Sequence, residues 1–127
     1  MALNMGNAGV NAEASGLNTA AANGYLAIYS GSKPATADTA LSGNTLLAEL
    51  TLPASPFSTV NGVMTAAAIT PVSAGNTGTA SFYRVYESDG STCLWQGDVG
   101  AEMTLNSSAI SSGAQVSVTS WTHTIPK

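Results

Sequence analysis

The chain has 127 residues, 44% of them hydrophobic and only 8% charged, with a formal net charge of −4. That length gives one domain, with enough chain to bury a core without metal or disulfide staples. Its three cations, Lys33, Arg84 and Lys127, are too scattered to track a phosphate backbone, which argues against nucleic acid and an anionic membrane as partners.

No apolar run approaches the roughly 20 residues of a spanning helix. The first 24 residues lack the basic start and apolar run of a secretory signal. Cys93 is the single cysteine, so no intrachain disulfide is expected. These features fit synthesis in the cytoplasm without export. With so few charges, the surface must consist mainly of Ser, Thr, Asn, Gly and Ala. A neutral surface of that kind suits a protein whose faces become covered by other subunits.

Residues 1–24 are rich in Ala, Asn and Gly and carry no aromatic residue. They are read as an N-terminal arm, extended or partly helical over 12–22, with Gly16 and Thr19 weakening the helix. The arm either forms a loose tail or orders against neighbouring subunits. From Tyr25 the pattern becomes β, and residues 25–127 form the second unit. YLAIYSG (25–31) is a short apolar strand. SKPATADTALSGN (32–44) is a long loop, of a length that carries function or crosses between sheets. TLLAELTL (45–52) alternates, with Leu46, Ala48, Leu50 and Leu52 on one face. Leu47 breaks that rule.

PASPF (53–57) is a proline-punctuated link, and Asn61-Gly62 marks a tight hairpin turn. PVSAGNTG (71–78) is another loop. Further strands follow in 78–90, 92–100 and 101–106. SSAISSGAQ (107–115) is a loop and VSVTSWTHTI (116–125) the last strand. In that strand Val116 and Val118 point one way and Trp121 and Ile125 the other. A bulge near Ser120, or an outer face buried at a subunit contact, would reconcile the two phases. Seven or eight strands with no long helix give an all-β fold, a jelly-roll-like antiparallel β-sandwich being favoured over a barrel.

The stretch SFYRVYESDGSTCLWQGDVG (81–100) concentrates aromatic and acidic residues. Asp89-Gly90 between β-formers predicts a hairpin with a two-residue type I′ turn. Phe82, Arg84 and Tyr86 share one face of its first arm, and Tyr83 and Val85 the other. A strand that is apolar on both faces is either central in a packed core or covered by a partner. Arg84 would pair with Glu49 or Glu102, or reach a neighbouring chain.

Catalysis finds little support. Glu87, Asp89 and Asp98 could form a carboxylate pair, but Asp89 is taken by the turn, Asp98 by local hydrogen bonds in the GDVG loop, and Glu87 faces solvent. His123, the only histidine, has no companion ligands for zinc and no Gly-x-Ser-x-Gly elbow to serve. Gly75-Asn76-Thr77-Gly78 lacks the lysine and following helix of a phosphate loop. Cys93 reads as a small core residue. No enzyme activity, metal or cofactor is expected. Trp95, Trp121 and the tyrosines could stack sugars on a β-sandwich, although core or interface anchoring is the commoner use of such residues.

Three runs together, YLAIYSGSKPATADTALSGNTLLAELTL, TASFYRVYESDGSTCLWQGDVG and LNSSAISSGAQVSVTSWTHTIP, resemble a group of small structural proteins of tailed bacteriophages. The resemblance rests on the L-x-I-Y-x-G strand, the loop from Pro34 through Leu-Ser-Gly to Thr-Leu-Leu-Ala-Glu-Leu, the aromatic-Arg-Val strand, the Ser-Asp-Gly turn, Gly-Asp-Val-Gly, and the segment from Ser108 to Thr119. It covers roughly residues 25–125. The N-terminal part departs, since relatives often carry a more charged helical segment there. Members of the group look like capsid decoration, or cement, proteins.

The resemblance implies a virion protein, made in the host bacterial cytoplasm and mounted on the capsid exterior. It would bridge neighbouring major capsid protein subunits as a dimer or trimer. Residues 1–24, the 32–44 loop with Lys33 and Pro34, and Tyr83, Arg84 and Trp121 are the contact residues expected from apolar exposure and loop length. A tail or neck adaptor and a carbohydrate-binding module are the alternatives.

Overall fold

A computed structural model describes residues 5–126. Helix α1 (Asn7–Ala21) comes first. Eight strands then build two four-stranded antiparallel sheets. The first contains β1 (Tyr25–Tyr29), β2 (Leu46–Thr51), β7 (Phe82–Tyr86) and β8 (Cys93–Asp98), in the order β2-β1-β7-β8. The second contains β3 (Phe57–Val60), β4 (Val63–Ala66), β9 (Met103–Leu105) and β12 (Val118–Thr124), in the order β3-β4-β12-β9. Two-residue ladders pair β5 (Val72–Ser73) with β11 (Gln115–Val116) and β6 (Gly78–Thr79) with β10 (Ala109–Ile110). The architecture is thus the expected antiparallel β-sandwich. The strand order does not by itself establish the jelly-roll form of it.

The sheets meet face to face through aromatic rings. Trp121 of β12 packs edge-on against Phe57 of β3 (centroids 4.8 Å apart) and Tyr83 of β7 (5.4 Å). Trp95 of β8 lies beside Trp121 and Phe57. Edge-to-face contacts of this kind add to the area term because the positive ring edge meets the negative ring face. Leu26, Ile28, Leu50, Val85, Met64 and Met103 complete the core, all fully buried.

Register explains two irregular sequence phases. In β2 the pairing jumps from Ile28↔Ala48 to Tyr29↔Leu46, leaving Leu47 as a bulged residue. The extra residue reverses the alternation, so Leu47 is buried and Leu46 is 38% exposed. Leu46 was expected on the core face; the bulge puts Leu47 there. In β12 the pairing jumps from Val118↔Leu105 to Ser120↔Thr104. Thr119 is therefore the bulge that reconciles Val116 with Trp121, at the place the sequence pointed to.

Asn61 and Gly62 both take positive φ (50° and 82°), the backbone a two-residue type I′ hairpin requires. The Asp89-Gly90 turn is different. Only Gly90 has positive φ, and Glu87 N–H closes onto the Thr92 carbonyl across a wider loop. Asp89 prevents the tight form by turning its carboxylate back on the chain, where it accepts from Ser91 N, Thr92 N and the Thr92 hydroxyl.

The N-terminal region is part of the domain. The helix is longer than the expected 12–22 and buries Val10, Ala14 and Ala21 along one stripe. It contacts β3 and β8, an edge strand of each sheet, and so closes the sandwich on that side. Asn11 Oδ1 accepts from Gly62 N–H (2.8 Å) and Asn18 Oδ1 from Phe57 N–H (2.9 Å). Small residues make the approach possible, for a Cβ on Gly62 would stand 2.7 Å from Val10 Cγ2. On the opposite side Gly75 N–H and the Asn76 side chain bind the Leu47 and Leu46 carbonyls of edge strand β2.

Replacing Asn11 by Ala strands the Gly62 N–H against the helix, and we expect a loss of about 1–2 kcal/mol in urea unfolding with an unchanged m-value. A negligible change would mean that apolar contacts alone hold the helix.

Candidate functional site

Both faces of β7 are occupied from within the chain. Tyr83 and Val85 face the core between the sheets, while Phe82, Tyr86 and Arg84 face outward. This is the alternation expected from the sequence. The outward face is covered by residues 31–45 of the protein itself. Phe82 stacks on Tyr29 at 5.3 Å, with Leu41 packed over them. A second protein is not needed to bury this face.

Arg84 holds that cover in place. It is 4% exposed and is the only buried charged side chain among the described residues. Its Nη2 donates to the carbonyls of Thr39 (2.7 Å) and Thr36 (3.3 Å), and Nε donates to Gln96 Oε1 (3.1 Å). The expected pairing with Glu49 or Glu102 does not form: Glu49 is two strands away across Ala27, and Glu102 lies on the other side of the sheet with Tyr83. Gln96 Nε2 in turn donates to the Pro34 carbonyl at 2.8 Å. Lys33 pairs with Asp98 at 3.0 Å on the surface, so the Asp98 carboxylate is committed to the loop over the sheet. Asn44 closes the far end, donating to the Ser30 and Ser32 carbonyls and accepting from Ser42 N–H.

A cleft of ≈ 470 Å³ opens where this cover meets the β7–β8 hairpin. Ala37, Asp38, Ala40 and Leu41 line it from the cover, and Arg84, Tyr86, Ser91 and Cys93 from the hairpin. Cys93 is half-buried, and burial pushes its thiol pKa up. The residue lines the cleft and lies outside the core cluster expected for it.

A second group of polar side chains lies at the other end of β7. Tyr83 donates its hydroxyl to Glu102 Oε1 (3.2 Å), which also accepts from Asp98 N–H (3.3 Å). Burial, helped by the Glu102 charge, raises the Tyr83 pKa. The buried indole N–H groups of Trp95 and Trp121 have no well-aligned acceptor among the described residues; their approach to the Tyr83 oxygen works against that rise. His123 packs against Trp95 with the rings tilted and their centroids 4.8 Å apart, and its burial lowers its pKa while the Glu102 charge opposes. Gly97 makes room for the group: a Cβ there would stand 2.0 Å from Glu102 Oε1.

Of the expected contact residues, Tyr83 (0% exposed), Arg84 (4%) and Trp121 (2%) lie within the protein. Tyr83 and Trp121 serve the packing of the core, and Arg84 is spent mainly on holding the loop, reaching the outside only where it lines the cleft. Lys33 and Pro34 remain at the outer rim, tied to Asp98 and Gln96. Trp121 is likewise closed to a sugar. The exposed large apolar residues are Val60 (70%), Val63 (38%) and Leu46 (38%). Val60 and Val63 are cross-strand partners flanking the Asn61-Gly62 turn. The sequence signal for them was present, since valines immediately beside a two-residue turn project from its tip.

Among the described residues no helix is long and apolar enough to cross a membrane, and no three His, Cys, Asp or Glu side chains gather as metal ligands. Comparison with family models, curated proteins and solved structures gave no significant match.

Two outcomes follow from this geometry. Replacing Arg84 by Met removes three hydrogen bonds to a charged donor, so the 34–42 cover should open. Thermolysin cleavage near Leu41 is expected to accelerate roughly tenfold or more; an unchanged rate would show that packing alone holds the loop. The Asp89 carboxyl is held at about 2, first by the Thr92 hydroxyl and then by the Thr92 and Ser91 amides. Since its unfolded value is about 3.9, the charged form favours the turn above about pH 4, and that contribution is lost as pH falls through about 2. The Ser91 and Thr92 amide chemical shifts should titrate with a midpoint near 2, and a midpoint near 4 would contradict these bonds.

Proposed function

We propose that the protein acts by binding, as a decoration protein that stabilises an assembled phage capsid by bridging neighbouring major capsid subunits. The observation that carries this reading is the character of its surface. Arg84 is buried and Lys33 is neutralised by Asp98. Among the described residues, what remains outside is chiefly uncharged polar chain, isolated carboxylates and the apolar Val60, Val63 and Leu46. Such a surface loses little solvation energy when covered, because few charges must be stripped of water. The resemblance to tailed-phage structural proteins supports the same reading. Its first two runs correspond to β1, the 32–44 cover, β2, β7 and β8, which form one sheet with its own lid, and its third run to β10, β11 and β12.

Three of the four edge strands, β2, β3 and β8, carry covers, so contact with a shell would run mainly through side chains and loop tips. The β3–β4 tip is the best-placed element for this. Binding only the expanded shell would stabilise it by mass action. A dimer or trimer touching several subunits would gain from effective concentration, with roughly 1,000–2,000 Å² buried in each stable interface. The helix belongs to the folded domain, so any wrapping by the N-terminal region falls to Met1–Asn4, outside the described residues.

The test is occupancy on purified expanded capsids, read by cryo-EM or by co-sedimentation. Wild-type protein should bind saturably, and Val60→Lys should reduce affinity about tenfold with unchanged thermal stability. Normal binding by Val60→Lys would move the contact away from the tip. Absence of the protein from purified heads would overturn the reading itself, and its presence on tails would favour an adaptor role. Light scattering on the free protein would test self-association as a dimer or trimer.

A further inference from the structure

We propose that the cleft above Arg84 is a binding site for a small carboxylate, an aliphatic acid or the carboxyl end of a polypeptide. The proposal is independent of the capsid reading. Arg84 is 96% buried by its 4% exposure, yet it has no carboxylate partner; its neighbours are two carbonyls and an amide oxygen. Those acceptors engage Nε and Nη2. Nη1 makes no hydrogen bond among the described residues, and it is not sealed away from solvent as the two indole N–H groups are. It therefore keeps two N–H donors without an acceptor on a residue that lines the ≈ 470 Å³ cleft. A guanidinium cannot shed its proton to escape this situation. An anion entering the cleft would meet a full positive charge that is largely removed from bulk water, where charge-assisted hydrogen bonds are strongest.

The walls select among anions. Ser91 is exposed on the cleft wall, and its hydroxyl, which approaches the Asp89 carboxylate, would have to turn from it to donate to a second oxygen. Ala37, Ala40 and Leu41 offer an apolar lining for a short aliphatic stem. The other polar groups are already engaged: Tyr86 Oη with Tyr29 Oη, Thr39 Oγ1 with Thr36 Oγ1, and Thr92 Oγ1 with Asp89. Asp38, exposed on the rim, is the one acid lining the cleft. Nothing there supplies a second cation. A singly charged group is matched by the one guanidinium nitrogen without an acceptor, whereas a phosphate dianion would face Asp38 with only one positive charge to hold it.

Cys93, the chain's single cysteine, lines the cleft and reports its occupancy. The experiment measures the rate of Cys93 alkylation by neutral iodoacetamide at constant ionic strength in sodium chloride. Propionate, its neutral isostere propionamide, inorganic phosphate and the acetylated dipeptide glycylalanine are titrated in turn. Propionate should slow labelling saturably, and propionamide should not. In Asp38→Asn, which removes only a rim charge, propionate should bind several-fold more tightly. In Ala40→Glu, which places a competing carboxylate on the wall while leaving Arg84 and its bonds intact, apparent affinity should fall about tenfold.

The Arg84 side-chain NMR resonances, followed in the same titration, should shift with propionate at the same midpoint. Protection by the dipeptide at much lower concentration than propionate would assign the ligand to a polypeptide terminus; equal protection would assign it to free acids. Both results sustain a carboxylate site. Equal labelling with propionate and propionamide, stronger protection by phosphate than by propionate, or protection unchanged in Ala40→Glu would overturn it.

Discussion

The Arg84 guanidinium sits on the outward side of the first sheet, between Phe82 and Tyr86, where strand alternation alone would leave it among apolar neighbours. A charge in that position is tolerable only if its donors are satisfied. The carbonyls of Thr36 and Thr39 supply the acceptors, which obliges residues 34–41 to lie across the sheet. The cover in turn seals Ala27, Tyr29 and Phe82 beneath it. Guanidinium and loop are thus mutually dependent: the loop makes the buried charge acceptable, and the charge makes a long loop hold one conformation. Pinning at both ends, through Lys33–Asp98 and Asn44, restricts the loop further.

The core between the sheets follows a different logic. Tyr83, Phe57, Trp95 and Trp121 interlock across the sandwich, the helix covers edge strands β3 and β8, and residues 75–76 cover edge strand β2. A sandwich with covered edges resists strand-to-strand association. Low surface charge removes one common barrier to association, and covered edges remove the indiscriminate form of it. Contacts must then be made by specific side chains, which is what a binding module on a symmetric assembly would require. Under the decoration reading, the contact surface shifts from the aromatic residues of β7 and β12 to the β3–β4 tip and the loop rims.

Apolarity on both faces of β7 fits either a place within the protein's own packing or cover by a partner. Phe82, Tyr83, Val85 and Tyr86 demanded burial on both faces of one strand. That demand was correct and the residues meet it. Whether a second protein or a distant piece of the same chain answers it is a question about contacts some 45 residues apart, as between Arg84 and Thr39. Alternation contains no information on that separation. The same limit hid the role of Asp98, whose partner Lys33 is remote in sequence, and the freedom of Arg84 Nη1, visible only once its other donors were assigned.

Local chemistry determined the strands, the type I′ turn at Asn61-Gly62, the opposed faces of β7 and the bulge in β12. Each depends on the backbone preference of a few neighbouring residues or on a period of two. Tertiary structure decided the rest. It placed the bulge at Leu47, widened the Asp89 turn through side-chain bonds, and docked a glycine-containing helix whose stability comes from the stripe it buries. It also chose a loop of the chain itself as the lid over Arg84. These outcomes turn on which remote groups can satisfy a buried donor or an apolar face, and that is settled by packing in three dimensions, not by the order of residues along a strand.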